Sequence, residues 1–165
     1  MKLLVPVSGS RGSLAAVNYA VAAVRDQRDE VIVLNVQPRL PSYVARFTSR
    51  ASRDAMRAQR AAIALAAACS VLEASGVRYR KVFETGRIAG TIAEVAARLR
   101  ADQIVVGTAR RAVWWQALFS LVPRIVDLAD APVAVIGVGR SGAFERYGIP
   151  ACVGLGITAL AITAE

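Results

Sequence analysis

Short apolar runs alternate with helical segments along most of this chain, and this alternation limits the folds that it can adopt. The runs at residues 2–7, 30–36, 103–106 and 133–138 are apolar with little polar interruption. Such runs are typical of strands that are buried on both faces of a parallel sheet. A further run at residues 77–83 alternates apolar with polar residues and predicts a half-exposed strand at the sheet edge.

The segments between these strands carry apolar residues at helical spacing. Helices are predicted at residues 14–25, about 44–75, 88–100 and roughly 120–129. Gly76 follows the second helix as its predicted stop. The order βαβαβαβαβ predicts an α/β fold, a three-layer α/β/α sandwich around a doubly wound parallel sheet with right-handed crossovers.

Residues 139–165 form an apolar C-terminal extension of the predicted domain, which spans residues 1–138, and are not an independent domain. Residues 151–164 carry no charge, and the stretch is shorter than the ~20 residues that a transmembrane helix needs. We interpret it as an added element that covers apolar surface on the same or a partner subunit. Reversible membrane association is the second interpretation, and disorder or aggregation is the third.

The charge and the absence of one residue type exclude several classes of chemistry. The chain of 165 residues is long enough for one domain with a core, and its net charge is +9. No helix or loop concentrates this charge together with aromatic residues, so a solvated arginine-rich surface is favoured over nucleic-acid binding. The chain contains no histidine, which removes the commonest general base, the commonest metal ligand and every Ser-His triad.

The cysteines and the acidic residues do not predict a metal centre. Cys69 and Cys152 show neither a disulfide framework nor metal-ligand spacing. Asp26, Asp29 and Glu30 cluster between a predicted helix and a predicted strand, where a solvated turn is favoured over a metal site. The first apolar run is too short for a signal peptide, so a cytoplasmic protein is expected.

Four segments of the chain, in this order and spacing, resemble the universal stress protein family. They are Leu-Leu-Val-Pro-Val-Ser-Gly-Ser at residues 3–10, the strand at residues 31–36, Glu-Thr-Gly-Arg-Ile-Ala-Gly-Thr-Ile-Ala-Glu-Val-Ala from residue 84 with Ala-Asp-Gln-Ile-Val-Val-Gly at residues 101–107, and Ala-Pro-Val-Ala-Val-Ile at residues 131–136. The resemblance implies a five-stranded sheet in the order 3-2-1-4-5, as in flavodoxin-like and adenine-nucleotide-hydrolase-like folds. It also implies a homodimer, often formed through the last strand. Our interpretation of the C-terminal extension makes it a second candidate contact.

The same resemblance implies a nucleotide site from which this sequence departs. ATP-binding members carry Gly-x2-Gly-x9-Gly-Ser/Thr after the fourth strand. Here Gly107 matches the first glycine, whereas Arg110 stands at the second. Counted back from the last strand, Phe119 occupies the third glycine position and Ser120 keeps the hydroxyl position. Counted forward from Gly107, the same two positions hold Ser120 and Leu121, so the third glycine is missing either way.

The physical consequence of these changes is a weakened phosphate cradle. Glycines in such loops permit positive φ and let backbone N–H groups approach phosphate closely. Ser8 stands where the family's Asp would be, which removes a charge that could orient ribose or a metal. We favour a loop packed by Phe119, Trp114 and Trp115 without a ligand. A remodelled anion site with Arg110 as a side-chain donor is the alternative.

The sequence therefore favours a non-enzymatic, cytoplasmic universal stress protein that acts in the stress response as a dimer. It would bind an unidentified protein partner or small ligand and hold no cofactor, and no catalytic or metal-ligating residue is predicted. The alternative hypothesis is an adenine-nucleotide-binding protein or slow ATPase that uses ATP and Mg²⁺ in a remodelled loop. If that site is retained, its residues are Ser8, Val36, Gly107, Arg110 and Ser120. A third hypothesis is nucleic-acid binding by the arginines of residues 46–60, with affinity that falls steeply with salt.

Overall fold

A computed structural model describes residues 1–38, 49–108, 121–137 and 157–158 of the chain. Within these residues, strands and helices alternate as the sequence predicts. The elements are β1 Lys2–Pro6, α1 Arg11–Ala23, β2 Glu30–Gln37, α2 Arg50–Ser75, β3 Tyr79–Thr85, α3 Ile88–Leu99, β4 Gln103–Thr108, α4 Val122–Leu128, β5 Val133–Gly137 and β6 Ile157–Thr158.

All the strands of the sheet pair in parallel, in the order β3-β2-β1-β4-β5-β6. The predicted order 3-2-1-4-5 is confirmed, with β3 at one edge as expected. The short strand β6 adds to the other edge, where Ile157 pairs with Val133 and Thr158 pairs with Ala134. The remainder of the C-terminal extension lies outside the described residues.

The helices cover both faces of the sheet, and each face has its own core. On one face α1 and α2 pack on side chains such as Leu3 and Val5, which are 0% exposed. On the other face α3 and α4 pack on side chains such as Leu4 and Ile104, which are also 0% exposed. Because Leu3, Leu4 and Val5 of β1 point alternately into the two cores, all three have to be apolar, which explains the unbroken run.

Local capping interactions decide where the helices begin and end. Helix α1 begins at Arg11, three residues before the predicted start, because Ser10 is its N-cap. The Ser10 side chain accepts a hydrogen bond from the backbone N–H of Ser13, and the two residues form a capping box. Gly76 ends α2 in the left-handed conformation at φ 67°, as predicted. The predicted start of α2 near residue 44 falls in residues 39–48, outside the described residues.

The acidic turn between α1 and β2 differs from its predicted solvated state. Asp29 and Glu30 are 8% and 7% exposed, so the prediction was wrong for these two residues. One carboxylate oxygen of Asp29 accepts from the amino group of Met1, and the other accepts from the backbone N–H of Arg25 at 3.0 Å. Glu30 pairs with Nε of Arg80 at 3.2 Å. These donors satisfy the carboxylates as the chain passes from helix to strand.

The hydrogen bonds to Asp29 predict a specific dependence of stability on pH. The bond from the amino group of Met1, and next the bond from the N–H of Arg25, lower the pKa of Asp29 to about 2. A carboxyl whose pKa is lower in the folded state stabilises the fold above its unfolded pKa, near 4, and loses that contribution as the pH falls towards 2. We expect Asp29→Asn to lower the melting temperature at pH 6 and to match the wild type near pH 2. Thermal unfolding followed by circular dichroism tests this, with Asp130→Asn in an exposed turn as the control. A difference that stays constant across this pH range would contradict the ionic origin of the effect.

Candidate functional site

The predicted ligand site lies at the carboxyl edge of the sheet, where the loop after β1 and the end of β4 flank the first turn of α1. Gly9 follows β1 with φ +76°, a conformation that favours glycine. A Cβ on Gly9 would lie 3.3 Å from Cα of Ala64 in α2. The loop after β1 therefore lies against α2 at Gly9, while Ser8 and Gly9 are exposed.

Gly107, near the end of β4, is in close contact with the first turn of α1. A Cβ at this position would lie 1.8 Å from the carbonyl oxygen of Gly12 and 3.0 Å from the backbone nitrogen of Ser13. No side chain fits at that distance, so glycine is required here for the helix to pack on the strand. The packing of α1 alone explains this glycine, whether or not a phosphate ever approaches it.

Ser8 belongs to a cluster of three serines in which the hydroxyl groups bond one another. Its Oγ lies 3.2 Å from Oγ of Ser10 and 3.4 Å from Oγ of Ser13. The Ser13 hydroxyl also accepts from the backbone N–H of Ser10 at 3.0 Å, and it donates to the carbonyl oxygen of Ser10 at 2.9 Å. This neutral network occupies the amino end of α1 and supplies no carboxylate at the position of Ser8.

Asn35, beside Val36 in β2, is a buried polar residue that the sequence reasoning missed. It is 2% exposed, and its Nδ2 donates to the carbonyl oxygen of Val7 at 2.7 Å. Its Oδ1 accepts from Nε2 of Gln37 at 2.9 Å. The available signal was one amide within the apolar run of residues 31–36. Val36 is partly buried and packs against the core under α3 and α4.

The structure brings together part of the site that the sequence predicts. Ser8 and Gly107 flank the first turn of α1, and Val36 is the penultimate residue of β2, the strand beside β1. Arg110 and Ser120 lie outside the described residues. The same holds for the three aromatic residues that were expected to fill the loop, Trp114, Trp115 and Phe119.

A family comparison agrees with this sheet. The model of the universal stress protein family matches residues 1–137. This chain belongs to the universal stress protein family. No curated protein matches it by sequence.

Solved structures with the same fold include other universal stress proteins. The hypothetical protein MJ0577 has a TM-score of 0.69 at 19% identity, over 85% of this chain and 97% of its own. A family protein from Arabidopsis thaliana, solved with AMP bound, has a TM-score of 0.62 at 19% identity, over 85% and 93% of the two chains. The protein from Archaeoglobus fulgidus in complex with dAMP has a TM-score of 0.60 at 19% identity, over 82% and 96%. At these identities the likeness establishes the fold.

In this universal stress protein, the carboxyl edge of the sheet carries several arginines. Helix starts lie at this edge in a parallel α/β fold, and the described arginines in the first turns of the helices or at their caps are Arg11, Arg53, Arg87 and Arg124. One turn further along α2, Arg57 pairs through Nη1 with Asp54 at 3.1 Å. Its Nε is buried, and no hydrogen-bond partner for it exists among the described residues. The helix starts therefore carry arginine charge, which Asp54 offsets at Arg57.

The described part of this universal stress protein offers little else that resembles a reaction centre. Within residues 1–38, 49–108, 121–137 and 157–158, no three Cys, Asp or Glu residues are grouped to hold a metal ion. Two open depressions of about 310 and 360 Å³ lie near the amino ends of the strands. They are lined by residues such as Arg100 with Asp102 and Arg25 with Arg78, and none of the predicted site residues contributes to them.

Proposed function

We propose that this universal stress protein acts in the stress response as a cytoplasmic homodimer, without enzymatic activity and without the ATP binding of its nucleotide-dependent relatives. The observation that carries the proposal is the contact between Gly107 and Gly12. The one glycine that matches the nucleotide motif serves the packing of α1, so its presence is no sign of a phosphate cradle. The other two glycine positions of that motif hold different residues.

The chemistry of the described residues supports a protein that binds rather than catalyses. Ser8, Ser10 and Ser13 bond one another, and no histidine exists in the chain to activate a serine. A hydroxyl at position 8 lacks the charge that an Asp would direct at a ribose or at Mg²⁺. Such a protein would act through surfaces that recognise another macromolecule or a small ligand.

Isothermal titration calorimetry of the full chain with ATP and Mg²⁺ tests this proposal. We expect no saturable heat up to millimolar nucleotide, a limit that corresponds to a binding free energy weaker than about −4 kcal/mol. Phosphate release measured in the same samples is expected to equal the rate of ATP hydrolysis in buffer without protein. Micromolar binding would overturn the absence of ATP binding, and steady phosphate release would overturn the absence of catalysis.

A second candidate function, adenine-nucleotide binding at a remodelled edge, is favoured by the buried Nε of Arg57, which has no hydrogen-bond partner within the described part of the chain, and by the arginines at the helix starts. Relatives of the same fold were solved with AMP and dAMP. Arginine side chains bind phosphate without the help of glycine. If the calorimetry detects nucleotide, Arg57→Gln will weaken binding while Arg28→Gln, in the turn at the opposite edge, will leave it unchanged.

A further inference from the structure

Strand β3 forms one edge of the sheet, and in the described part of the chain nothing pairs with its outer side. Its backbone bonds β2 on the inner side, and no other strand among the described residues lies beside it. The strand is 7 residues long and contains neither glycine nor proline. A long, regular edge of this kind is a template to which a strand of another chain can add.

The hydrogen bonds to β2 show which backbone groups of β3 point outward. The carbonyl oxygen of Arg78 accepts from the N–H of Val31 at 3.0 Å, and the N–H of Gly86 donates to the carbonyl oxygen of Gln37 at 3.0 Å. Successive residues of a strand in a parallel sheet direct these groups to opposite sides, so the even-numbered residues face β2. The residues whose N–H and C=O groups point away from β2 are Tyr79, Lys81, Phe83 and Thr85.

The charged side chains of β3 do not protect this edge, because each is paired with an opposite charge of the same chain. The pairs are Arg80 with Glu30 at 3.2 Å, Lys81 with Glu73 at 4.0 Å, and Glu84 with Arg98 at 2.5 Å. Unpaired charges on an edge strand usually prevent its association with another strand. Since these charges are offset within the domain, they do not repel an incoming strand.

Phe83 provides an apolar contact near the middle of the edge. Its side chain is 41% exposed. It lies on the same face of the sheet as Tyr79, because side chains two residues apart along a strand share a face, and Tyr79 packs against the core under α1 and α2. An apolar side chain on a strand added beside β3 would cover part of the Phe83 ring.

Two exposed arginines, Arg78 and Arg87, lie at the two ends of β3. Neither forms an ion pair with any residue that the structure describes. Arg87 is the N-cap of α3, its side chain makes no capping hydrogen bond, and the first turn of α3 contains no acidic residue. The positive end of the helix dipole adds to the charge of Arg87, so an anion is favoured there. An extended segment of about nine residues, at about 3.3 Å per residue, reaches both arginines.

We propose that the outer edge of β3 binds an extended segment of another protein as an added strand, with an acidic residue near each end and an apolar residue against Phe83. The inference rests on the proposed function of binding another macromolecule, and it names a surface and a class of partner. The outward N–H and C=O groups of β3 hold the segment, and Arg78 and Arg87 attract its ends. The other edge of the sheet differs, because Val133 and Ala134 of β5 already pair with β6.

Isothermal titration calorimetry of the full chain with a synthetic peptide tests the partner class. The probe is acetyl-Glu-Thr-Val-Thr-Val-Thr-Val-Thr-Glu-amide, for which we expect saturable binding. The same peptide N-methylated at all its amides cannot donate backbone hydrogen bonds and will not bind. A peptide with Lys in place of both Glu will bind at least about tenfold more weakly.

Arginine variants test the ends of the edge. Arg78→Gln and Arg87→Gln will each weaken binding of the Glu-ended peptide by about two- to fivefold, the range for an exposed ion pair. Arg100→Gln, exposed at the opposite end of α3 from Arg87, is the matched control and leaves the affinity unchanged. No binding of the Glu-ended peptide overturns the proposal. Equal binding of the Lys-ended peptide overturns the acidic partner.

Amide hydrogen exchange measured by NMR tests the location independently. In the free chain, the N–H groups of Arg80 and Val82 will exchange slowly because they face β2, whereas those of Lys81 and Phe83 will exchange rapidly. Saturating Glu-ended peptide will slow exchange at Lys81 and Phe83 at least about tenfold. Binding that leaves these two groups rapid overturns the edge as the site.

Slow exchange at Lys81 and Phe83 without peptide also overturns the proposal, because the edge is then already covered. The cover is the chain itself if the exchange rate is independent of protein concentration, and a second copy if the rate falls as the concentration rises. None of these measurements involves nucleotide. The calorimetry with ATP therefore decides the absence of ATP binding separately, whatever the outcome at β3.

Discussion

Gly107→Ala will destabilise the fold by about 3 kcal/mol or more. The added Cβ would lie 1.8 Å from the carbonyl oxygen of Gly12, and the obstacle is backbone rather than a movable side chain. Helix α1 would have to shift away from β4, which disturbs the packing of Val17 and Ala20 on the sheet. Overpacking usually costs about 1–3 kcal/mol, and a rigid neighbour places this site at the upper end. Urea unfolding of the purified variant measures the loss.

Gly90→Ala provides the matched control for that substitution. Gly90 lies inside α3, and a Cβ there would meet nothing within 4 Å. Alanine in a helix interior is expected to add about 0.5–1 kcal/mol of stability relative to glycine. If Gly107→Ala proved as harmless as Gly90→Ala, the close contact of α1 with β4 would be refuted. The explanation of Gly107 by packing would then fail with it.

Asn35→Asp will cost several kcal/mol at neutral pH. The Asn35 amide donates to the carbonyl oxygen of Val7 at 2.7 Å in a site that is 2% exposed. One oxygen of the new carboxylate would still accept from Nε2 of Gln37, but the other would face the carbonyl oxygen of Val7 without a hydrogen to donate. A buried charge with no opposite charge beside it costs about 3–5 kcal/mol. A protonated carboxyl could still donate, so the folded-state pKa of the new Asp will be raised. The loss will therefore be small near pH 4 and grow as the pH rises through that raised pKa.

Chemical denaturation at about pH 4, 5.5 and 7, a series that begins near the usual pKa of Asp and rises above it, checks this dependence. Asn18→Asp, on the exposed side of α1, introduces the same group into solvent and is expected to show little loss at any of them. Equal destabilisation of Asn35→Asp at every pH would mean that lost packing, rather than a buried charge, is the cause. The two variants together measure how strongly β2 is tied to the end of β1.

The architecture followed from the sequence because it depends on repeated, local signals. Unbroken apolar runs such as residues 31–34 required burial on both faces, and the left-handed stop at Gly76 was readable from one residue. The edge position of β3 followed from its alternating pattern. These signals lie within a few residues of one another, so no knowledge of distant partners was needed.

The details of the site could not be predicted in the same way. Asp29 looked like part of a solvated turn, because its hydrogen-bond donors at Met1 and Arg25 come together only when the sheet forms. The role of Asn35 depends on the carbonyl of Val7, which lies 28 residues away along the chain. Ser8 was recognised as a replaced Asp, but its bonds with Ser10 and Ser13 depend on the capping geometry of α1.

Gly107 shows most clearly which features follow from the sequence and which depend on the tertiary structure. The sequence by itself determined the alternation of strands and helices, since periodicity encodes it locally, and short motifs indicated the family, whose resemblance implied the strand order. The same resemblance predicted an incomplete nucleotide motif. Only the tertiary structure decided why the remaining glycine is present, because Gly12 and Gly107 are distant in sequence and meet solely when α1 packs on β4. Tertiary packing likewise decided that one side of α2 is buried while Ile63, on the other side, is exposed. An apolar pattern at helical spacing shows how many residues of a helix can be buried. The positions of the neighbouring elements determine which of those residues are buried.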